Sequence, residues 1–159
     1  MSRVITFSRQ FPSYHPNKGQ PTYFVEKVCR GIHSWSKEAK EICDMDVWAS
    51  CIPKHHTIRA GSRWKEGDKF SPRVWSGKPY NSKQIIIAPD IEIKKVWNFE
   101  IKDGLFFIGK DLYAYNNSVE LLDRLAENDG LNQIDLLNWF RYPKEFSGQI
   151  ICWNENVEY

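Results

Sequence analysis

The sequence predicts an α+β fold with a small mixed β-barrel at its centre. Strand-like stretches outnumber helix-like ones, and the helical stretches flank one β-rich block on both sides. Hydrophobic residues make up 42% of the 159, enough for a single-domain core without disulfide staples.

Val4 to Ser8 alternates Val and Thr around Ile5 and Phe7 and reads as the first strand. Phe11 to Gln20 holds Pro12, Pro16 and Gly19, so it is a loop, and its Tyr14–Gly19 part is either plain surface or a lid over a cleft. Thr22 after Pro21 is a helix N-cap, with Phe24, Val28 and Ile32 as the apolar stripe of a helix over 22–33. A second amphipathic piece covers Lys37 to Cys43, and Pro53 closes this helical arm. Thr57-Ile58-Arg59 alternates as a strand, Trp64 to Asp68 turns, Lys69 to Trp75 extends again, and Ser76 to Pro79 punctuates. Residues 84–101 read as two strands or one bent strand broken at Pro89. Leu105–Ile108 and Leu112–Tyr115 read as a hairpin around Gly109 or as an insertion on the sheet.

Helical signals return late. Asn117 with Glu120 forms a capping pair, Val119, Leu122, Leu125 and Ala126 line one face, and Gly130 stops that helix. Asn132 with Asp135 starts another, carrying Ile134, Leu137 and Phe140, and Gly148 to Trp153 is a final strand.

Several function classes drop out. The longest apolar run, Ile85-Ile86-Ile87-Ala88, is strand-sized, far short of the roughly 20 residues of a membrane span. The opening MSRVITFSRQ lacks the apolar core of a signal peptide, so a soluble, cytoplasmic chain with no membrane partner is expected. Aromatics at 14% argue against disorder. Cys29, Cys43, Cys51 and Cys152 form no C-x-x-C pair and read as reduced thiols. Cys51 precedes His55 and His56 at metal-ligand spacing, but adjacent histidines in an extended segment point to opposite faces. With no Gly-rich phosphate loop, G-x-S-x-G or H-E-x-x-H, neither metal nor cofactor is expected.

The net charge of +2 conceals a split. Residues 54–83 carry eight Lys or Arg against Glu66 and Asp68, whereas 111–159 carry nine acids against three bases. A positive face of this kind suits a phosphate-bearing partner. Trp64 and Trp75 lie in this basic stretch as candidates for base stacking, while Trp97, Trp139 and Trp153 read as core.

The densest chemistry is Lys54-His55-His56-Thr57-Ile58-Arg59, then Arg63-Trp64-Lys65 and Gly67-Asp68. On a strand, Thr57 and Arg59 share a face, and Lys54 arrives beside Thr57 from the turn after Pro53. An amine, a hydroxyl and a guanidinium together suit a phosphate, or a carbonyl flanked by one.

K-H-H-T-I-R followed by R-W-K-x-G-D resembles the signature of the ASCH domain family, whose compact barrel is related to the PUA RNA-binding fold. The late L-A-E-N-D-G-L helix end, the second helix and the terminal strand match that family's element order, as does the opening I-T-F-S-R strand. The resemblance implies one ASCH-like domain over 1–159, a PUA-like mixed β-barrel with flanking helices, in which 34–53 is an insertion. It implies binding of RNA or a nucleotide or nucleoside in a cleft lined by Lys54, Thr57 and Arg59, with His56, Arg63, Trp64 and Lys65 as further contacts. One branch of the family removes the acetyl group from 4-acetylcytidine, which implies an alternative: an amidohydrolase with Thr57 as nucleophile, Lys54 as base and Asp129 as acid. That branch has glutamate where this chain has Asp129, one methylene shorter, and proton transfer needs heavy atoms within roughly 3 Å. The basic face favours binding, and the Lys-x-x-Thr spacing with a carboxylate favours hydrolysis.

Overall fold

A computed structural model describes residues 3–115 and 118–159. In chain order the described elements are β1 (Arg3–Phe7), α1 (Phe24–Ile32), α2 (Lys37–Ile42), α3 (Met45–Ser50), β2 (His56–Ala60), β3 (Lys69–Trp75), β4 (Gln84–Ile86), β5 (Ile91–Glu92), β6 (Lys95–Lys102), β7 (Leu105–Ile108), β8 (Asp111–Tyr115), α4 (Val119–Asn128), α5 (Gln133–Trp139) and β9 (Phe146–Cys152). The fold is mixed α+β, and its strands form two separate sheets, neither closed into a barrel. The described residues divide into two compact units, 3–54 with Lys69–Glu92 and His55–Asp68 with 93–115 and 118–159.

In the first unit β1 runs parallel to β3, with Arg3 opposite Phe70 and Phe7 opposite Val74. A parallel pair needs a long crossover, and the helical arm after β1 forms part of it. On its other edge β3 meets β4 and then β5, both antiparallel. Pro72 lies where the ladder passes from one to the other. Its carbonyl accepts Ile87 N on that edge at 2.9 Å, so its missing N–H falls in the gap between the two partners. Ile5, Phe7, Phe24, Val25, Val28, Phe70 and Val74 are buried.

Thr22 stands one residue outside the expected cap position. Tyr23, with a left-handed backbone at φ 58°, is the N-cap of α1 and supplies no side-chain bond. The Thr22 hydroxyl still accepts Phe24 N at 3.2 Å and donates to Ser8 O at 2.6 Å, tying the helix start to the end of β1. The expected Lys37–Cys43 helix ends at Ile42, and a further short helix follows, capped by Asp44 Oδ1 accepting from Asp46 N and Val47 N. Glu26 Oε1 accepts Asp44 N at 2.8 Å, docking this arm on α1.

Burial, with the neighbouring Cys43 and Glu26 adding to it, pushes the Cys29 thiol from an ordinary value of 9.0 up to about 12. Cys43 rises to about 11, first through burial and then through Glu26. A thiol that ionises later in the folded chain than in the unfolded one supports folding fully below pH 9. That support is lost as pH rises from about 9 towards 12. Urea unfolding should therefore lose up to a few kcal/mol over this window, and Cys29→Ala should flatten the fall. An equally steep fall in that variant would remove Cys29 from the explanation.

In the second unit β9 is central, antiparallel to β2 on one side and to β6 on the other, and the meander continues through β7 and β8. Gly148 on β9 faces Ala60 and Phe99, and a Cβ placed there would lie 2.2 Å from Arg59 O. Among the expected helix positions, Leu122, Leu125 and Ala126 are buried, but Val119 is 56% exposed. The expected Asn117 cap lies outside the described residues. On α5 the Asn132 side chain accepts Asp135 N at 2.8 Å, as its spacing predicts. The buried position there is Leu136, while Ile134 is 71% exposed, so the inward face is turned from the one expected. No helix of the described residues is long and apolar enough to cross a membrane.

Candidate functional site

The expected site residues fall in both units. Lys54 belongs to the first, where its backbone N–H donates to Lys27 O at 2.9 Å. Its side chain is 1% exposed, with Nζ 4.4 Å from the centroid of the Phe24 ring and 5.9 Å from that of Phe7. The aromatic faces offer the ammonium a favourable electrostatic seat.

The second unit holds the others. Alternation along β2 puts Thr57 and Arg59 on one face, and Arg59 Nε donates to Thr57 Oγ1 at 3.3 Å. Burial lowers the Arg59 guanidinium below its usual value, the Asp129 carboxylate opposes that shift and Arg63 adds to it. An arginine keeps its charge at neutral pH regardless. Asp129 follows the last turn of α4, where Gly130 at φ 79° reverses the chain. His55 N donates to Asn128 O at 2.8 Å, which ties the start of β2 to the end of α4.

That tie brings two distant residues together. His56 Nδ1 lies 3.3 Å from Asp129 Oδ1, and Nε2 lies 2.6 Å from the Tyr159 hydroxyl, which also accepts from Asn128 Nδ2 at 3.1 Å. Burial, as the largest cause, pushes the Tyr159 phenol above the ordinary tyrosine range, so it keeps its proton. Neutral His56 satisfies the whole set: Nδ1–H donates to Asp129, and Tyr159 O–H donates to Nε2. The Tyr159 ring packs against Trp97 and Tyr113. Sequence reasoning gave His56 a ligand-facing role. The structure buries it completely and turns both ring nitrogens inward, one to Asp129 and the other to Tyr159.

Trp64 is also corrected. At 3% exposure its ring has no free face for a base. Gln149 on β9 clamps its backbone twice, with Trp64 N donating to Oε1 and Nε2 donating to Trp64 O, both at 3.0 Å. A buried residue between two exposed ones fixes their directions, so Arg63 and Lys65 stand out to solvent on either side. The Arg63 guanidinium carbon sits 5.2 Å from the Trp64 ring centroid. The turn that follows is closed by Lys65 N donating to Asp68 Oδ2 at 2.8 Å and Gly67 N donating to Ile93 O at 2.9 Å.

Tyr159, Asn128 and Gln149 complete this arrangement and were not anticipated. Each acts across a long sequence separation; Asn128 lies inside the L-A-E-N-D-G-L segment, whereas Gln149 and Tyr159 sit in no motif. Among the described residues, no three His, Cys, Asp or Glu side chains are grouped to hold a metal ion. A scan of protein-family models finds no match for this chain, and neither does a search of curated proteins or of solved structures.

Proposed function

We propose that this chain binds RNA or a nucleotide through the basic segment that begins at β2, with Arg59, Arg63 and Lys65 meeting phosphate and the Thr57 hydroxyl beside Arg59. The observation that carries this reading is the Gln149 clamp on Trp64. It holds two exposed cations on a fixed backbone, so little loop ordering remains to oppose binding. The short ASCH-like motifs support the same reading, and with it a PUA-like ancestry for the two-sheet fold.

Phosphate binding of this kind is salt-dependent. The slope of log affinity against log salt is about −0.7 for each single-strand phosphate contacted. Replacing Arg63 and Lys65 together with alanine should bring that slope about one to two closer to zero. Affinity that ignores salt, or no RNA binding by the wild type at low salt, would overturn the proposal.

A second reading is favoured by the Lys54-x-x-Thr57 spacing together with Asp129, a carboxylate held against His56 on the same strand as Thr57. In this reading the chain deacylates a modified nucleoside such as 4-acetylcytidine: Thr57 attacks the acetyl carbonyl as Lys54 takes its proton. Asp129, steadied by His56 and in its protonated form, gives a proton to the departing amine, and water then hydrolyses the acetyl-threonine to acetate and restores the protons. Cytidine release by the wild type that disappears in both Lys54→Ala and Thr57→Ala would support it. Absence of turnover by the wild type would reject it, and turnover surviving in Thr57→Ala would remove Thr57 as nucleophile.

A further inference from the structure

The first unit carries a second surface with its own chemistry, at the connection between β3 and β4. Tyr80 is 86% exposed there, the most open large hydrophobic side chain among the described residues. Its backbone takes φ 64°, a left-handed conformation that a bulky side chain rarely adopts. The Tyr80 ring rests beside the half-buried Trp75 ring, with centroids 5.3 Å apart and planes at 48°. The loop is closed from within: Ser76 N donates to Lys83 O at 2.8 Å and Asn81 N to Lys78 O at 3.1 Å. Ser82 Oγ accepts Gly77 N at 3.0 Å and donates to Lys78 O at 2.9 Å.

Along the chain, cations flank this ring pair: Lys78 and Lys83 bracket Tyr80 and Arg73 precedes Trp75 by two residues, in a stretch from 69 to 89 without a single Asp or Glu, while Lys69 sits at the far end of β3 opposite Glu92. Arg73 is held by Ser71 Oγ and Gln84 Oε1, both uncharged.

We propose that the β3–β4 connection is a stacking platform for single-stranded RNA, in which Tyr80, backed by Trp75, takes an unpaired base while Lys78 and Lys83 meet the flanking phosphates. This rests on the RNA-binding reading above and adds to it a preference for unpaired strands. An exposed aromatic face with cations on either side is the arrangement by which proteins hold single strands without reading their sequence. A base within a duplex has no free face to offer, so paired RNA gains nothing from Tyr80. An anionic membrane would also attract the lysines. However, apart from the small ring of Pro79, the loop residues Ser76, Gly77, Lys78, Asn81 and Ser82 offer no aliphatic side chain to insert.

The test uses the full chain with a short fluorescent oligo(A) RNA, the same length of duplex RNA, and phosphatidylserine vesicles. Tyr80→Gly accepts the positive φ without strain, so it removes the ring and leaves the turn intact. It should weaken oligo(A) binding roughly tenfold with the salt slope unchanged, and leave duplex binding unaltered. Tyr80→Phe should retain wild-type affinity. Lys78→Ala with Lys83→Ala should bring the salt slope about one to two closer to zero. Three results overturn the platform: Tyr80→Gly binding oligo(A) as tightly as the wild type, wild-type protein holding duplex as well as single strand, or Tyr80→Gly losing vesicle binding in place of RNA binding. If Tyr80→Gly has no effect while Arg63→Ala with Lys65→Ala does, the platform fails and the RNA-binding reading stands. If wild-type protein binds neither RNA at low salt, both fail.

Discussion

Gly148→Ala should destabilise the protein by about 3 kcal/mol or more, read as a lower urea midpoint with an unchanged slope. The added Cβ would lie 2.2 Å from Arg59 O, 2.9 Å from Arg59 C and 2.9 Å from a Phe146 ring carbon. The ring can rotate away, but the carbonyl belongs to the ladder that pairs β2 with β9 and can retreat only if the two strands part. Because β9 is flanked on both sides, opening it towards β2 also strains its pairing with β6. Arg59 and Thr57 move with β2, so under the proposed function RNA affinity should fall in the same variant. Ser147→Ala, at the exposed neighbouring position, should stay within about 0.5 kcal/mol of wild type. A loss below about 1 kcal/mol for Gly148→Ala would mean that the strands separate more easily than this contact implies.

Asp129→Ala should cost about 2–4 kcal/mol, because it leaves two groups without the carboxylate they face. One is His56 Nδ1, fully buried and 3.3 Å from Oδ1. The other is the Arg59 guanidinium, whose charge the Asp129 carboxylate supports against the penalty of burial. Asp129→Asn separates the two contributions. Its amide oxygen can still accept from His56 but carries no charge for Arg59, so it should recover roughly half of the loss. Equal losses in Asn and Ala variants would assign the effect to charge alone, and no loss in either would show that His56 and Arg59 are satisfied without Asp129.

Much of the backbone plan was legible because local chemistry dictated it. Strand β3 spans the residues expected of it, since Gly67 and Gly77 bracket a run rich in extended-type residues. The Gly109 hairpin and the Asn132 cap were legible for the same reason: a turn or cap needs only its immediate neighbours. Facing was harder to read. Val119 and Ile134 lie on the helices that periodicity predicts, yet they point outward, because which stripe is buried depends on where another element docks. The site divides in the same way. The Thr57–Arg59 contact follows from strand alternation two residues apart, whereas His56 reaches Tyr159 across most of the chain. Trp64 misled for a related reason. Its basic neighbours imply an outward ring, and only Gln149, supplied by the last strand, reveals that the ring is buried.

The chain passes between its two units at residues 54/55, 68/69 and 92/93, and this sets an order of events during synthesis. β1 leaves the ribosome early, but its partner β3 begins only at Lys69, a wait of roughly 3–14 s at ordinary translation rates. β2 waits longer still, since β9 is the last strand to emerge. During that interval two strands are extruded without their ladders, and long-range pairing of this kind is slow to form and open to aggregation. A nascent chain whose first 90 or so residues have cleared the ribosome should therefore hold a nearly complete first unit beside an unpaired His56–Ala60 segment. A gene cut at the 54/55 junction would leave β3 with a naked edge instead of releasing a module that folds alone.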